Sequence, residues 1–163
     1  MEIERKFLIE ELPIDISTCQ CLIIEQAYLC TNPVVRIRRE NDEYYLTYKG
    51  KGLLAREEYN LPLNEDAYER LLNKADGNII SKKRYLIPIP EPNFASGYAV
   101  PATPLKLKIE LDVFEPPFAP LMIAEVEFPD EETANAFIPP TWLGEDVTFN
   151  PEYHNSTLSR KII

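Results

Sequence analysis

Hydrophobic and polar positions alternate along most of this chain with a period of two. The first instance is Glu2-Ile3-Glu4-Arg5-Lys6-Phe7. In an extended segment Glu2, Glu4 and Lys6 share one face, and Ile3, Arg5 and Phe7 share the other. Strand-like stretches of this kind run over 2–9, 22–29, 34–40, 43–49, 54–61, 79–87, 105–114 and 121–128. Turn chemistry separates several of them, at Thr31-Asn32-Pro33, Asn41-Asp42 and Gly50-Lys51-Gly52. Two helices are predicted. Asn64 caps the first, Glu65 and Asp66 suit its first turn, and Ala67, Leu71, Leu72 and Ala75 keep helical spacing until Gly77. A shorter one follows Pro129, with Asp130 to Glu132 at its start and Ala134, Ala136 and Phe137 packing. The stretch 87–104 holds Pro88, Pro90, Pro92, Pro101 and Pro104, which predicts a long irregular surface loop. With no internal repeat and no linker, the pattern predicts one domain over 1–163. It is dominated by β structure (α+β in class), an antiparallel meander of about eight strands with helices attached.

Sorting each strand by parity gathers the charges. Strand 34–40 puts Arg36 and Arg38 opposite Val35 and Ile37, and strand 43–49 puts Lys49 with Thr47 and Tyr45. Strand 54–61 aligns Arg56, Glu58 and Asn60, and strand 79–87 aligns Lys82 and Arg84. Strand 105–114 contributes Lys108, Glu110 and Asp112, and strand 121–128 contributes Glu125 and Glu127. Periodicity alone leaves two architectures open, a sandwich with its charges in water and a barrel with its charges inside. The signs segregate, however. Carboxylates sit on the first and last two strands, and Arg and Lys on those between, whereas a solvated face tends to intersperse them. A metal–polyanion complex needs that separation, with acids for the cation and bases for the oxyanions.

Composition narrows the partners. With 27% charged and 45% hydrophobic residues the chain reads as an ordinary globular protein. Its formal net charge of −10 argues against nucleic acid or an anionic membrane as a partner. No apolar run approaches the ~18 residues of a membrane span. Cys19, Cys21 and Cys30 form no C-x-x-C pair, which predicts a reduced, cytoplasmic compartment.

The start Glu2-Ile3-Glu4-Arg5-Lys6 resembles the ExExK signature of the CYTH superfamily, the triphosphate tunnel metalloenzymes. The likeness continues in order through nearly the whole chain. It takes in Arg36-Ile37-Arg38, Leu46-Thr47-Tyr48-Lys49-Gly50, Glu58, Lys82-Lys83-Arg84-Tyr85, Glu110-Leu111-Asp112, Ala124-Glu125-Val126-Glu127 and the tail Tyr153-His154-Asn155-Ser156-Thr157-Leu158. The resemblance implies an eight-stranded antiparallel barrel whose charges line a tunnel, with short helices outside, in the compact form of the bacterial inorganic triphosphatases. It implies Glu2, Glu4 and Glu127 as ligands of a first Mg²⁺ or Mn²⁺. Glu58, Asp112, Glu110 and Glu125 are implied for a second metal or for placing water. Lys6, Arg36, Arg38, Lys49, Lys82 and Arg84 would grip a small-molecule triphosphate. Phosphoryl transfer asks mainly for positioning and charge neutralisation, and these residues supply both. Lys82 or Glu58 is the expected group to orient or deprotonate the attacking water. His154, the sole histidine, is expected to be an exposed or capping side chain, which leaves Ser/His/Asp and Cys/His triads without support.

Two departures from the family pattern stand out. Relatives often carry a second carboxylate two residues after the one matching Glu58, where this chain has Asn60. An amide can ligate through its carbonyl but brings no charge, so a second metal would bind weakly. The stretch 87–104 is also longer than in compact relatives. Inorganic tripolyphosphate is the expected substrate, cleaved to pyrophosphate and phosphate. Organic triphosphates such as thiamine triphosphate or ATP, hydrolysed or cyclised, would need an aromatic recess, for which Trp142, Tyr28 and Tyr45 are the candidates. A non-hydrolysing polyphosphate- or nucleotide-binding module is the alternative from another class, as is a plain β-sandwich interaction protein.

Overall fold

A computed structural model describes residues 1–12 and 15–163. In chain order the strands are β1 (Glu2–Leu8), β2 (Gln20–Thr31), β3 (Val34–Glu40), β4 (Glu43–Lys49), β5 (Ala55–Arg56), β6 (Glu58–Leu63), β7 (Ile80–Ile89), β8 (Asn93–Phe94), β9 (Leu107–Phe114), β10 (Met122–Glu127) and β11 (Phe137–Ile138). The helices are α1 (Glu65–Leu72), α2 (Glu131–Ala136) and α3 (Asn155–Leu158). Nine strands form one antiparallel sheet in the order β5-β1-β10-β9-β7-β2-β3-β4-β6. Its two edges adjoin in sequence, because only Glu57 separates β5 from β6. The stretch 54–61 therefore acts as one bent strand, pairing with β1 through its first half and β4 through its second. That bend closes the sheet into a barrel and explains why eight expected strands become nine.

Antiparallel register fixes which side chains meet inside. Glu4 pairs with Glu127 and Lys6 with Glu125 across β1 and β10, Arg84 with Asp112 across β7 and β9, and Lys49 with Glu58 across β4 and β6. The inward face is the charged one. Lys6, Arg36, Arg38, Lys49, Lys82, Arg84, Asp112 and Glu125 are all buried. The parity pattern thus resolves as a barrel with charges inside, and the outer face carries the apolar core.

Covers on the outside complete that core. Over β2, β3 and β4, α1 seats Tyr68 against Ala27 and Ile37, and Asn64 caps the helix by accepting from the Ala67 amide at 2.7 Å. Over β1, β9 and β10, α2 and the following segment pack Ala134, Phe137 and Leu143 against Ile109, Leu111 and Val126. The proline-rich stretch belongs to this cover: β8 pairs with β11, and Phe94 packs against Tyr98 and Phe137. None of residues 90–104 lines the barrel interior. Arg5, on the outer face, donates to the Ala134 and Phe137 carbonyls and to Asp146, which ties this cover to β1. One end of the interior is filled. Tyr28, Val34, Ile80, Phe114 and Ile123 continue the inward positions there and close around Leu158 of α3. Among the described residues no helix is long and apolar enough to cross a membrane.

Candidate active site

The barrel encloses a cavity of about 330 Å³. Six expected cationic residues reach it: Lys6, Arg36, Arg38, Lys49, Lys82 and Arg84. So do six expected carboxylates: Glu2, Glu4, Glu58, Glu110, Glu125 and Glu127. Asp112 takes a different place. It is fully buried behind the wall, with Lys82 Nζ 2.7 Å from Oδ2 and the Arg84 guanidinium forked across both oxygens at 2.7 and 2.9 Å. Both of its oxygens are occupied by cations of the protein. Arg56 lies at the rim with Nε 3.8 Å from Glu2, and Lys108 is exposed outside the lining.

The carboxylates come in pairs that repel. Burial, then the hydrogen bond to Glu58, pushes the Glu2 carboxyl up to about 7. Burial would raise Glu58 as well. The Glu2 hydrogen bond, the Lys49 ammonium and the Asn60 amide reverse that and bring it down to about 2. Glu4 is likewise raised by burial and by Glu125, while Lys6 and Arg84 overcome the burial of Glu125 and hold it well below the usual range. Near neutrality the Glu2–Glu58 pair therefore shares a proton where two anions would clash. A hard divalent cation can replace such a proton, and the donor set is all carboxylate oxygen. Among the described residues no three acidic, histidine or cysteine groups form a ready metal cage.

The basic wall is under-compensated. Arg36 is buried with a single hydrogen bond to the protein, from Nη2 to Thr47 Oγ1 at 3.1 Å, and burial and Arg38 lower its pKa. Arg38 Nε donates to Gln26 Oε1 at 2.8 Å. Lys82 is enclosed, and burial brings its ammonium down to about 7 against the pull of Asp112. An oxyanion is what Arg36 lacks.

Sequence parity missed the neutral part of the site. Gln26 on β2 carries no charge to flag it, yet its Nε2 donates to Asn155 Oδ1 at 3.0 Å, an oxygen that also receives Lys82 Nζ at 3.0 Å. The tail carrying Asn155 folds back over the filled end, so His154, Asn155 and Ser156 reach the cavity. His154 is therefore half-buried at the site and not simply a surface side chain, and burial with the nearby Lys6 lowers it to about 4. Of the expected aromatics, Tyr28 and Tyr45 line the cavity, while Trp142 packs into the outer core.

The chain is similar to known proteins in sequence and in fold. The chain is 35% identical to an inorganic triphosphatase of Nitrosomonas europaea, over 99% of this chain and 98% of that protein. It is 33% identical to an inorganic triphosphatase of Acetivibrio thermocellus, over 96% and 92%. Among solved structures, that of the inorganic triphosphatase NE1496 superposes with a TM-score of 0.68 at 33% identity, covering 99% of this chain and 96% of that one. Residues 1–136 match the model of the CYTH domain, and the chain belongs to that family.

Proposed function

We propose that this chain hydrolyses a triphosphate with the help of a divalent cation, and that its substrate is inorganic tripolyphosphate. The observation that carries this reading is one cavity in which the buried Arg36 guanidinium, with no carboxylate partner among the described residues, and a ring of further cations face a carboxylate pair that shares a proton. The names of the two curated relatives support the same reaction. Trp142 lies outside the lining, and of the two tyrosines in it Tyr28 packs into the filled end and Tyr45 donates to Glu40, an arrangement that favours an inorganic chain over a substrate with an organic ring.

Arg36, Arg38, Lys6 and Lys49 bind the oxyanions, and Lys82 and Arg84 stand at the acid–base boundary. Glu2, Glu4 and Glu127 hold Mg²⁺ or Mn²⁺, with Glu58, Glu110 and Glu125 as further oxygen donors. The cation, when bound, neutralises charge developing on the phosphate oxygens. A water oxygen bonds to a terminal phosphorus, the bridging P–O bond breaks, and pyrophosphate leaves with orthophosphate as the other product. Lys82 accepts the water's proton in its uncharged form, a form that burial makes accessible near neutral pH. Glu58, kept low against its burial by Glu2, Lys49 and Asn60, serves the cation in this reading. Asp112 steadies Lys82 and Arg84 from behind.

The test is phosphate release from tripolyphosphate, ATP and thiamine triphosphate, each with Mg²⁺ or Mn²⁺, for the parent chain and Glu4→Gln. Metal-dependent release from tripolyphosphate alone, lost in Glu4→Gln, is the expected result. Tight tripolyphosphate binding with no turnover would leave a binding module.

A further inference from the structure

Among the described residues, two buried side-chain polar atoms meet no hydrogen-bond partner, Arg36 Nε and Glu58 Oε2. They belong to different strands, and Arg36 and Glu58 serve opposite purposes in the proposed site. One continuous chain of hydrogen bonds nevertheless joins the two groups. Arg36 Nη2 donates to Thr47 Oγ1 at 3.1 Å, Thr47 Oγ1 donates to Asn60 Oδ1 at 2.6 Å, and Asn60 Nδ2 donates to Glu58 Oε1 at 2.9 Å. Every donor points from the cation towards the anion, so each link polarises the next. Glu58 fixes the amide's orientation: its carboxylate requires a donor, so Asn60 must present Nδ2 to it and Oδ1 to Thr47.

The register makes this chain possible. Arg36 lies opposite Thr47, and Thr47 opposite Asn60, on three neighbouring strands. Glu58 follows on the same face of β6 as Asn60. Thr47 is fully buried, so its hydroxyl has no water to turn to, whereas Asn60 sits exposed at the rim. The relay occupies one edge of each terminal group. Arg36 keeps Nε unspent, and Glu58 keeps the rest of its carboxylate for Glu2 and for Lys49, whose Nζ stands 3.5 Å from Oε2.

We propose that Thr47 and Asn60 are positioning residues that lock the anion-gripping guanidinium and the cation-gripping carboxylate in one mutual orientation, so that triphosphate and divalent cation bind cooperatively. The inference rests on the triphosphatase reading. It also gives Asn60 a role other than that of a weakened metal ligand. A carboxylate at this position would set acceptor against acceptor at Glu58 Oε1, and the relay needs a donor there.

The experiment is titration calorimetry with Mn²⁺ and with an imido-bridged triphosphate analogue, each alone and each in the presence of the other. It is run on the parent chain, Asn60→Asp and Thr47→Val. Because Asn60 is exposed, its variant remains folded even where the buried Thr47 variant does not. In the parent chain the analogue tightens Mn²⁺ about tenfold or more, within the usual range of coupling between sites. In both variants that factor falls by about fivefold or more, leaving the coupling that direct contact between phosphate and cation supplies, while each ligand alone stays within about fivefold of the parent affinity. Three outcomes overturn the relay and leave the triphosphatase reading standing. One is unchanged coupling in the variants. Another is tighter Mn²⁺ binding by Asn60→Asp with coupling intact, which would make position 60 a plain ligand. The third is Mn²⁺ binding abolished outright in Asn60→Asp with analogue binding intact. A parent chain that binds both ligands without coupling also overturns the relay, and one that binds neither sinks both readings.

Discussion

Lys82 Nζ stands 2.7 Å from Asp112 Oδ2 with both side chains closed to solvent, and Arg84 forks across the same carboxylate. Asp112 is thus the counter-charge for two buried cations. Removing one partner of such a cluster leaves uncompensated charge in a low-dielectric interior, at a cost of about 3–5 kcal/mol. Asp112→Asn should therefore lower Tm by roughly 6–20 °C in a chain of this size. Calorimetry decides it, and an unchanged Tm would show that water, not Asp112, compensates these cations.

Arg36 predicts the opposite sign. It is a buried cation with one protein hydrogen bond and a neighbouring Arg38, an arrangement that disfavours the folded protein until an anion arrives. Arg36→Met should raise Tm by a few degrees, equivalent to about 0.5–2 kcal/mol. The same substitution should cut tripolyphosphate hydrolysis by about 10²–10³, as expected for loss of a preorganised donor. Paired melting and rate measurements test it, and a fall in both would make Arg36 a structural residue.

How far the sequence discloses this molecule depends on charge. Strand 2–9 differs from β1 by one residue, strands 34–40 and 43–49 coincide with β3 and β4, and the caps Asn64 and Asp130 lie where propensity puts them. Alternation cannot say which face is inside, since a charged face in water and one around a ligand have the same period. Only the segregation of sign, and the likeness to a family, pointed inward. Asp112 shows the other limit: its parity is that of Glu110, but its neighbours across β7 are Lys82 and Arg84, and their pairing turns it from the cavity. Gln26 was illegible because a neutral amide on a strand gives no periodic signal, and Asn155 stood out only as part of the tail that resembles the family, with no role attached. Their role exists only through contacts some 129 residues apart.

Gly77 tests the tail. It has φ +92°, and a Cβ there would meet the Ser159 carbonyl oxygen at 2.2 Å. Next to it, the Asn78 amide donates to that same oxygen at 2.6 Å. The 76–78 turn is thereby the clamp that holds α3, and with it Asn155 against Lys82. Gly77→Ala should displace the tail, destabilise the protein by about 1–3 kcal/mol, and lower kcat although residue 77 lines no part of the cavity. Limited proteolysis after residue 150 should accelerate in step, and activity lost without tail cleavage would break the connection.

Metal binding should be linked to pH through the carboxylate pairs. Glu2 is raised to about 7, first by burial and then by Glu58, and Glu4 is also raised, by burial and Glu125. At neutral pH the metal-free site therefore holds protons that a divalent cation must expel. The sign follows: as pH falls through about 7, protonation competes with the cation and affinity drops, and as pH rises affinity increases by up to tenfold per unit for each proton displaced. Mn²⁺ titrations in buffers of different ionisation enthalpy should register proton release, with the apparent affinity climbing from pH 6 to pH 8. Glu2→Gln, which carries no proton to expel, should flatten that slope while binding Mn²⁺ more weakly at every pH. Heat signals independent of buffer would place the cation elsewhere than on these pairs.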